Sequence, residues 1–440
     1  MNHRTAVAAL ATVLLAAPAL AEEAKPTPPA TAPDAPATQE QVKTLSEELR
    51  RLKLDIGIPD VEYRSFAGMG PAASKVYYQP KGLAIGGYGE FTFHSNLHDP
   101  PPSPRRTDDP ETAQTDLRRV VLYAGYRFGP KIVFNSEIEF EHAGKEVAVE
   151  FAYLDFLFTD ALRLRIGNVL VPMGFINEMH EPPFFHGVNR PDVETFIIPA
   201  TWSENGAGLH GEVSGFRYKA YLLTGLDPIG QGGPDAEEPV TAQEWLRRAR
   251  SGGAESRAES WAGVVSLAYD FGPASVGGAF YGGRAGQGET TDAGQPIHAD
   301  VTLAEIHGQL AWRGLQARVL LAQGTLGDAD LLSEKLGLSG EQVIGSRVRG
   351  GYGEVAYDVF SLAGSEMQLA PFVRWERLNL HDQVPTGGTV NPALKYDLVT
   401  AGLTFKPIPT VVAKADFQWR QSDAPGGTTR AVNLGAGFVF

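Results

Sequence analysis

Residues 162–168 read LRLRIGN, residues 171–205 read VPMGFINEMHEPPFFHGVNRPDVETFIIPATWSEN, and residues 206–213 read GAGLHGEV. The two outer segments carry the period-2 pattern of β-strands, and the segment between them is much longer than the usual connection in a compact domain. Its large apolar side chains are too numerous for a disordered tether. They are Phe175, Phe184, Phe185, Phe196, Ile197, Ile198 and Trp202. We therefore predict that the rest of the chain covers this loop.

The composition favours a β-protein with many turns. The 440 residues include 50 glycines, 22 phenylalanines, 14 tyrosines and no cysteine. Aromatic and glycine-rich chains of this kind are more typical of sheets than of helical enzymes. The formal net charge of −14 argues against nucleic acid as a partner, because phosphate binding requires a basic surface.

The first 21 residues have the pattern of a signal peptide. His3 and Arg4 form a short basic region, residues 6–17 are apolar, and Ala19 and Ala21 fit the small-x-small cleavage pattern. No later stretch approaches twenty apolar residues. The mature chain is therefore expected either to be soluble outside the cytoplasm or to cross a membrane as a β-barrel.

Three segments precede the first alternating strand. Residues 22–38 are rich in Pro and Ala and predict an extended linker. Residues 39–57 predict a short periplasmic coiled-coil helix, and a single amphipathic helix packed on a barrel mouth remains the alternative. Residues 58–81 predict an irregular connector. The apolar seam of the helix consists of Val42, Leu45, Leu49, Leu52 and Ile56.

From residue 82 to the end, the chain consists of alternating segments of about ten residues, the length of a tilted membrane strand. We predict sixteen strands, at 82–95, 115–128, 131–142, 146–158, 162–170, 206–213, 216–224, 260–271, 274–283, 299–312, 315–323, 349–360, 367–378, 395–405, 410–420 and 431–440. The connections between them alternate between short and mostly long. That alternation is typical of an outer-membrane barrel with tight periplasmic turns and long extracellular loops. The predicted fold is all-β, a 16-stranded antiparallel transmembrane β-barrel spanning residues 82–440, of porin size.

The strands have one apolar face and one charged face. In 410–420, for example, Phe417 and Trp419 alternate with Asp416 and Arg420. We assign the apolar face to lipid and the charged face to a lumen, where water lowers the cost of charge. The predicted lumenal residues are Arg119, Arg163, Arg165, Arg217, Lys219, Arg318, Arg374, Lys414, Arg420, Glu90, Glu137, Glu139, Glu141, Glu212, Glu305, Glu354, Glu376 and Asp416.

Residues 117–174 resemble the phosphate-selective porin O and P family of Gram-negative outer membranes. The resemblance rests on LRRV at 117–120, FNSEIEF at 134–140, EFAYL at 150–154, and RIGN at 165–168 leading to PMG at 172–174. The final strand, VNLGAGFVF ending in Phe440, also resembles the C-terminal signature of outer-membrane barrels. The family resemblance implies a trimeric channel whose third loop folds into the pore and whose lumenal Arg and Lys attract anions. Leu170, Asn205 and Gly206 depart from the family pattern of basic residues.

The resemblance and the face assignment together select candidate site residues. The candidate pore-lining and selectivity residues are Arg119, Arg163, Arg165, Arg217, Lys219, Arg318, Arg374, Lys414, Glu137 and Glu139. The candidate constriction-loop residues in 171–205 are Glu178, His180, Glu181, Arg190 and Asp192. A basic stripe facing loop carboxylates would produce a transverse field. The alternative is that these charges pair with one another in the barrel wall, and both interpretations stay open.

Enzyme chemistry is not indicated. His180, Glu181 and His186 do not have HExxH spacing, and Pro182 and Pro183 prevent the helix which that motif needs. No nucleophile constellation, metal site or cofactor motif is evident. We expect a non-enzymatic outer-membrane porin, with its N-terminal segment in the periplasm, for passive diffusion of small hydrophilic solutes, with anionic, phosphate-like solutes as the candidate class. Its expected partners are outer-membrane lipids, those solutes and two further copies of itself. The alternative is a structural barrel tethered to the periplasm through the coiled coil.

Overall fold

A computed structural model describes residues 64–97, 113–233, 236 and 239–440. The predicted signal peptide, Pro/Ala-rich linker and coiled-coil helix all lie outside these residues. Among the described residues, no helix is long and apolar enough to cross a lipid bilayer.

The described residues form sixteen antiparallel strands in one closed barrel, which confirms the predicted fold class. The strands are β1 (Gly82–Asn96), β2 (Gln114–Gly129), β3 (Ile132–Glu141), β4 (Glu146–Thr159), β5 (Leu162–Leu170), β6 (Ser203–Val213), β7 (Phe216–Thr224), β8 (Trp261–Phe271), β9 (Ala274–Arg284), β10 (Asp300–Trp312), β11 (Leu315–Leu326), β12 (Arg347–Tyr357), β13 (Gln368–Gln383), β14 (Lys395–Ile408), β15 (Val411–Ser422) and β16 (Thr428–Val439). Each strand pairs with its neighbour in sequence, and β1 pairs with β16 from Tyr88↔Val439 to Asn96↔Ala431. Closure leaves no unpaired sheet edge.

The two rims of the barrel differ in their connections. One, here called the short-turn rim, carries two-residue turns such as residues 130–131 and 272–273. The other, here called the long-loop rim, is where β1 ends and β2 begins, and it carries the loops of residues 171–202, 225–260, 285–299 and 327–346. Two connections differ from the expected lengths. On the long-loop rim, residues 423–427 form a short loop, and on the short-turn rim residues 358–367 contain a 3₁₀ turn (Val359–Ala363).

The structure corrects the bounds of the long third loop. Residues 203–205 belong to β6 rather than to the loop, because Ser203, Glu204 and Asn205 pair with Leu170, Val169 and Asn168. The loop therefore spans residues 171–202. The polar composition of SEN hides this extension of the strand, because the ladder is made by the backbone and does not depend on side-chain type.

The outer face of the barrel is apolar and the inner face is charged. On β15, Phe417 and Trp419 are 40% and 47% exposed, whereas Asp416 and Arg420 are 5% and 6% exposed. The same alternation runs around the barrel, because successive side chains of a strand point to opposite faces. An apolar exterior over charged interior residues is the arrangement expected of a barrel that spans a bilayer.

Residues 64–81, the described part of the predicted connector 58–81, fold against the inner wall. They contain the helix α1 (Pro71–Ser74) and a 3₁₀ turn (Lys75–Tyr78). We call residues 64–81 the inner segment. Its buried apolar residues are Met69, Ala72, Ala73, Val76 and Tyr77. Its helical turns are too short to show a helical period in the sequence, and the barrel wall, not the local pattern, supplies the surface that buries them.

The remaining helical turns lie in loops. They are the 3₁₀ turns His142–Gly144, Pro182–Phe184, Arg247–Ala249, Gly340–Gln342 and Pro392–Leu394, the π turn Val193–Ile197 and the helix α2 (Ala329–Lys335). Two of them, Pro182–Phe184 and Val193–Ile197, belong to the long third loop.

Candidate functional site

The loop of residues 171–202 lies inside the barrel, and its aromatic side chains pack on the inner wall. The ring of Phe175 lies 4.6 Å from that of His307 on β10, and Trp202 lies 4.8 Å from Tyr281 on β9, measured between centroids. On the opposite side, the Lys414 ammonium lies 3.5 Å from the centroid of the Phe185 ring. Wall contacts of this kind explain how so apolar a loop is covered.

Polar residues of the loop bind different parts of the wall. His180 is hydrogen-bonded to Glu137 on β3 at 3.0 Å, and Glu178 forms an ion pair with Lys219 on β7. On the far side, Asp192 accepts a hydrogen bond from Arg420 on β15 at 2.8 Å. Four of the five candidate constriction-loop residues thus have partners, Glu181 binding the inner segment as described below.

His186 and Glu194 add two further attachments. His186 is hydrogen-bonded through Nδ1 to Thr404 on β14 and through Nε2 to Gln316 on β11, at 2.9 and 3.1 Å. Tyr352 on β12 donates to Glu194 at 2.6 Å. His180, Glu181 and His186 therefore bind separate partners and do not converge on one centre.

The inner segment is joined to the loop through Glu181. The backbone N–H groups of Ala72 and Ala73 donate to Glu181 Oε1 at 3.0 and 3.1 Å. On the wall side, Asn135 donates to the carbonyl of Ala73 at 2.8 Å, and Tyr77 donates to Asp155 at 2.8 Å. Two chain segments, residues 64–81 and 171–202, therefore share the lumen.

Burial changes the protonation of the loop residues. It is the largest effect on the Glu181 carboxyl and raises its pKa to about 8, although the two N–H donors act in the opposite direction. Burial also lowers the pKa of His180 to about 3 and that of His186 to about 4. Near neutral pH both imidazoles are therefore uncharged and Glu181 holds a proton.

Most of the candidate pore-lining cations are paired within the wall. Arg165 binds Asp155 at 2.9 Å, and His210 on β6 binds the other oxygen of Asp155 at 2.8 Å. Arg163 pairs with Asp160 at the short-turn rim at 3.0 Å, where its partner is almost fully exposed. Arg165 also donates to the Tyr77 hydroxyl at 3.4 Å, and Arg163 lies 4.7 Å from the centroid of the Phe66 ring. The predicted Arg163–Arg165 stripe therefore lies against β4 and the inner segment.

The other candidate cations also have contacts. Arg119 pairs with Glu90, Glu139 and Glu141 at 3.4, 3.1 and 2.9 Å. Arg217 pairs with Asp270 at 2.7 Å. Arg318 donates to the carbonyl of Phe184 at 2.8 Å.

Arg374 is the cation that holds the middle of the loop. It is completely buried and pairs with Glu376 at 2.8 Å and Glu354 at 3.3 Å. It also donates to the backbone carbonyls of His186 and Asn189, both at 3.2 Å. In addition, the N–H of Val188 donates to Asp416 at 2.6 Å. Residues 186–190 are thus fixed to β13 and β15.

Two cavities lie on either side of residues 186–190. The upper cavity, of about 440 Å³, lies toward the long-loop rim and is lined in part by Val188, Asn189 and Arg190. The lower cavity, of about 220 Å³, lies beside the short turn at residues 272–273 and is lined in part by His186, Arg318 and Glu354. Of the candidate pore-lining residues, Arg119 and Glu139 border the upper cavity and Arg318 borders the lower one.

Asp155, His210 and Tyr77 are site residues that the sequence-based assignment missed. Asp155 could have been found from the sequence, because the period of two places it on the same face of β4 as Phe151 and Tyr153. In the structure all three side chains are buried. His210 follows the same rule on β6. Tyr77 had no comparable signal, because its segment has no periodic pattern.

Comparison with known proteins identifies one relative by sequence and several barrels by structure. An uncharacterized protein of Aquifex aeolicus (strain VF5) is 35% identical over 382 residues, which cover 84% of this chain and 82% of that protein. No protein-family model matches the sequence.

Three solved barrels are similar in fold, each covering 82% of this chain. They are a loop-deletion mutant of OmpT, an outer membrane protein of Vibrio cholerae (13% identity, TM-score 0.50, 100% of that chain), an anion-selective porin from Comamonas acidovorans (11%, 0.50, 100%) and Salmonella typhi OmpF in complex with daunomycin (10%, 0.51, 98%). At these identities the likeness shows the fold alone.

Proposed function

We infer the function of this chain from the barrel itself. The chain belongs to the same family as the Aquifex aeolicus protein, but that protein is uncharacterized and supplies no function to compare. We propose that the chain is an outer-membrane porin for passive diffusion of small hydrophilic solutes. The short-turn rim would face the periplasm and the long-loop rim the exterior, as in bacterial outer-membrane barrels.

The observation that carries this proposal is the pair of cavities separated by residues 186–190. Polar cavities at both rims, inside a wall with an apolar exterior, provide the two ends of a path for small solutes. Segment 186–190, together with its anchors Arg374 and Asp416, would then form the narrowest part of that path.

Single-channel recording in planar lipid bilayers tests the proposal. Purified protein should produce stepwise conductance. If correctly folded protein inserts and produces no steps, the porin proposal is wrong. That result would favour the alternative, a structural barrel tethered to the periplasm, which has support in the filling of the lumen by two segments.

The inner segment gives a second test of the same proposal. Deletion of residues 64–78 should increase conductance by about twofold or more, because a sixteen-stranded barrel without lumenal filling encloses a wide aqueous channel. Deletion of residues 22–38, which belong to the predicted linker, is the matched control and should leave conductance unchanged. An unchanged conductance in the first variant would show that solutes do not pass the inner segment.

Anion preference is a finer part of the proposal. It is supported by the resemblance to the phosphate-selective porin O and P family and by cations at both cavities, such as Arg119, Arg190 and Arg318. The measurement is the reversal potential in a salt gradient. Replacement of Arg190 by Gln should shift the reversal potential toward cation preference. The control variant Arg284→Gln, which removes the cation of an exposed ion pair with Asp300, should leave the reversal potential unchanged. Equal shifts would contradict a role for Arg190 in selectivity.

Assembly and chemistry complete the proposal. A homotrimer is supported by the family resemblance, and crosslinking in membranes that yields only monomers would contradict it. The proposal includes contact with outer-membrane lipids and no catalytic activity, and hydrolysis of ester or peptide probes by the purified protein would contradict the latter part.

A further inference from the structure

The upper cavity is lined by charges of both signs, mostly arginines from loops and carboxylates from the wall. Arginines come from the two loops that cover it, with Arg190 on residues 171–202 and Arg247, Arg248 and Arg250 on residues 225–260. Carboxylates come from the wall, at the upper ends of β3 and β4. The latter are Glu139, Glu141, Glu146 and Glu150. The wall also contributes two cations from β2, Arg118 and Arg119, and Arg119 is paired with Glu139 and Glu141.

Two β-bulges add charged side chains to this cavity. In the β1–β2 pair, Glu90 is opposite Arg119 and Phe91 is opposite Leu117, so Arg118 is the extra residue. In the β3–β4 pair, the register shift between Glu137 and Ile138 makes Glu150 the extra residue. Both extra residues line the upper cavity. Bulges commonly redirect a side chain near a functional site, and here one adds a cation and the other an anion.

Several of these charges are not neutralised within the part of the chain that the structure describes. There Arg190 has no hydrogen bond or ion pair, and its Nη2 atom is shielded from solvent. Arg250 donates to the carbonyls of Ala200 and Arg247 but to no carboxylate. Among the same residues, Glu146 on the wall has no ion pair, although its carboxylate lies within 4.8 Å of ligand atoms of Glu141 and His142.

A solute with one kind of charge does not match this cavity. An anion would be attracted by the loop arginines but repelled by the wall carboxylates. A cation would be attracted by the wall carboxylates but repelled by the loop arginines. A solute that carries both charges can satisfy both sides. The volume of about 440 Å³ falls in the range of small-molecule sites and suits an amino acid or a short peptide.

We propose that the upper cavity binds small zwitterionic solutes, with the carboxylate directed to Arg190 and Arg250 and the ammonium group directed to Glu146 and the neighbouring wall carboxylates. The proposal rests on the porin function in one respect, namely that the cavity would then be the entry site for the solute. Binding itself does not require conduction and can be measured separately.

Isothermal titration calorimetry of the full-length protein in detergent micelles, at pH 7, tests the proposal with charge-matched dipeptides. The probes are L-alanyl-L-alanine, its N-acetyl form, which is an anion, and its C-terminal amide, which is a cation. The free dipeptide should bind about tenfold or more tightly than either capped form, because each capped form loses one charge-assisted contact.

Three variants locate the contacts. Arg190→Gln should weaken binding of the free dipeptide about tenfold and remove its advantage over the amide. Glu146→Gln should weaken it similarly and remove its advantage over the N-acetyl form. Arg284→Gln lies outside the cavity and should have no effect. Since Arg190 and Glu146 have no partner in the described part of the chain, their replacement should leave the fold intact, which circular dichroism and gel mobility without heating can verify.

The outcomes separate this proposal from the porin function. Equal binding of the free and N-acetylated dipeptides would identify a simple anion site, equal binding of the free and amidated forms a cation site, and either result overturns the proposal, as does absence of binding. Conductance steps without dipeptide binding would overturn only the zwitterion site. Dipeptide binding without conductance steps would uphold the site and overturn the porin function.

Discussion

Arg374 should be one of the most important side chains for the stability of this barrel, and its replacement by Met is the sharpest test of how the lumen is held together. The side chain is completely buried on β13, between Glu376 and Glu354, and it donates to the carbonyls of His186 and Asn189. Met preserves much of the volume and removes all four contacts.

The expected loss follows from what remains in the lumen. Without Arg374, two carboxylates that are at most 5% exposed, Glu376 and Glu354, lose their cation. Breaking a buried ion pair from one side typically costs about 3–5 kcal/mol, because the remaining charge is neither solvated nor paired. The matched control is Arg217→Met. Arg217 and Asp270 form a similar pair but are 30% and 45% exposed, so the expected loss is at most about 1 kcal/mol.

The assay is guanidinium unfolding of protein refolded into phosphatidylcholine vesicles, followed by tryptophan fluorescence. Trp375 stands next to Arg374 and faces outward, which provides a nearby reporter. The double variant Arg374→Met, Glu376→Gln should recover part of the lost free energy of unfolding, because it removes one of the two carboxylates that Arg374→Met leaves without a cation. If Arg374→Met costs no more than Arg217→Met, the pairing of Arg374 does not stabilise the lumen and the reasoning fails.

Three further predictions concern the inner segment. Tyr77→Phe should cost about 1–3 kcal/mol because it removes a donor to the buried Asp155, whereas Tyr78→Phe, whose exposed hydroxyl donates to the carbonyl of Ser65, should change stability by less than about 0.5 kcal/mol in the same unfolding assay. Because folded Glu181 keeps its proton up to a pKa of about 8 while the unfolded carboxyl releases it near its ordinary value, stability should fall as pH rises from 7 to 8, by at most about 1.4 kcal/mol per pH unit. Glu181→Gln should lack this dependence, and equal slopes in the two proteins would contradict it. Gly125→Leu should displace the inner segment and raise conductance, as deletion of the segment does, because a Cβ at Gly125 would lie 2.7 Å from Val76. The control Gly129→Leu, at the end of the same strand, should behave as wild type, because a Cβ there has no atom within 4 Å.

The strands could be predicted from the sequence because the information is local. A side chain on a strand faces either lipid or lumen, so the period of two is written into each segment of about ten residues without reference to any other. The pattern of Phe417 and Trp419 against Asp416 and Arg420 is sufficient for β15, and its burial agrees. The long third loop could also be predicted from the sequence, because its length and its aromatic content are properties of one continuous stretch.

The arrangement inside the barrel could not be predicted in the same way. Asp155, Arg165 and His210 meet because β4, β5 and β6 are paired in one particular register. Arg374 binds carbonyl groups 188 and 185 residues away, which come within reach only after the barrel has closed and the loop has turned inward. The inner segment carries no periodic signal at all, since the surface that buries it belongs to β1–β5. The sequence by itself therefore determined the wall of the barrel and the presence of a covered loop, through local alternation of side chains. Only the tertiary structure decided which lumenal charges neutralise one another and which, like Arg190, remain unpaired in the described chain, because those contacts join residues that are distant in sequence.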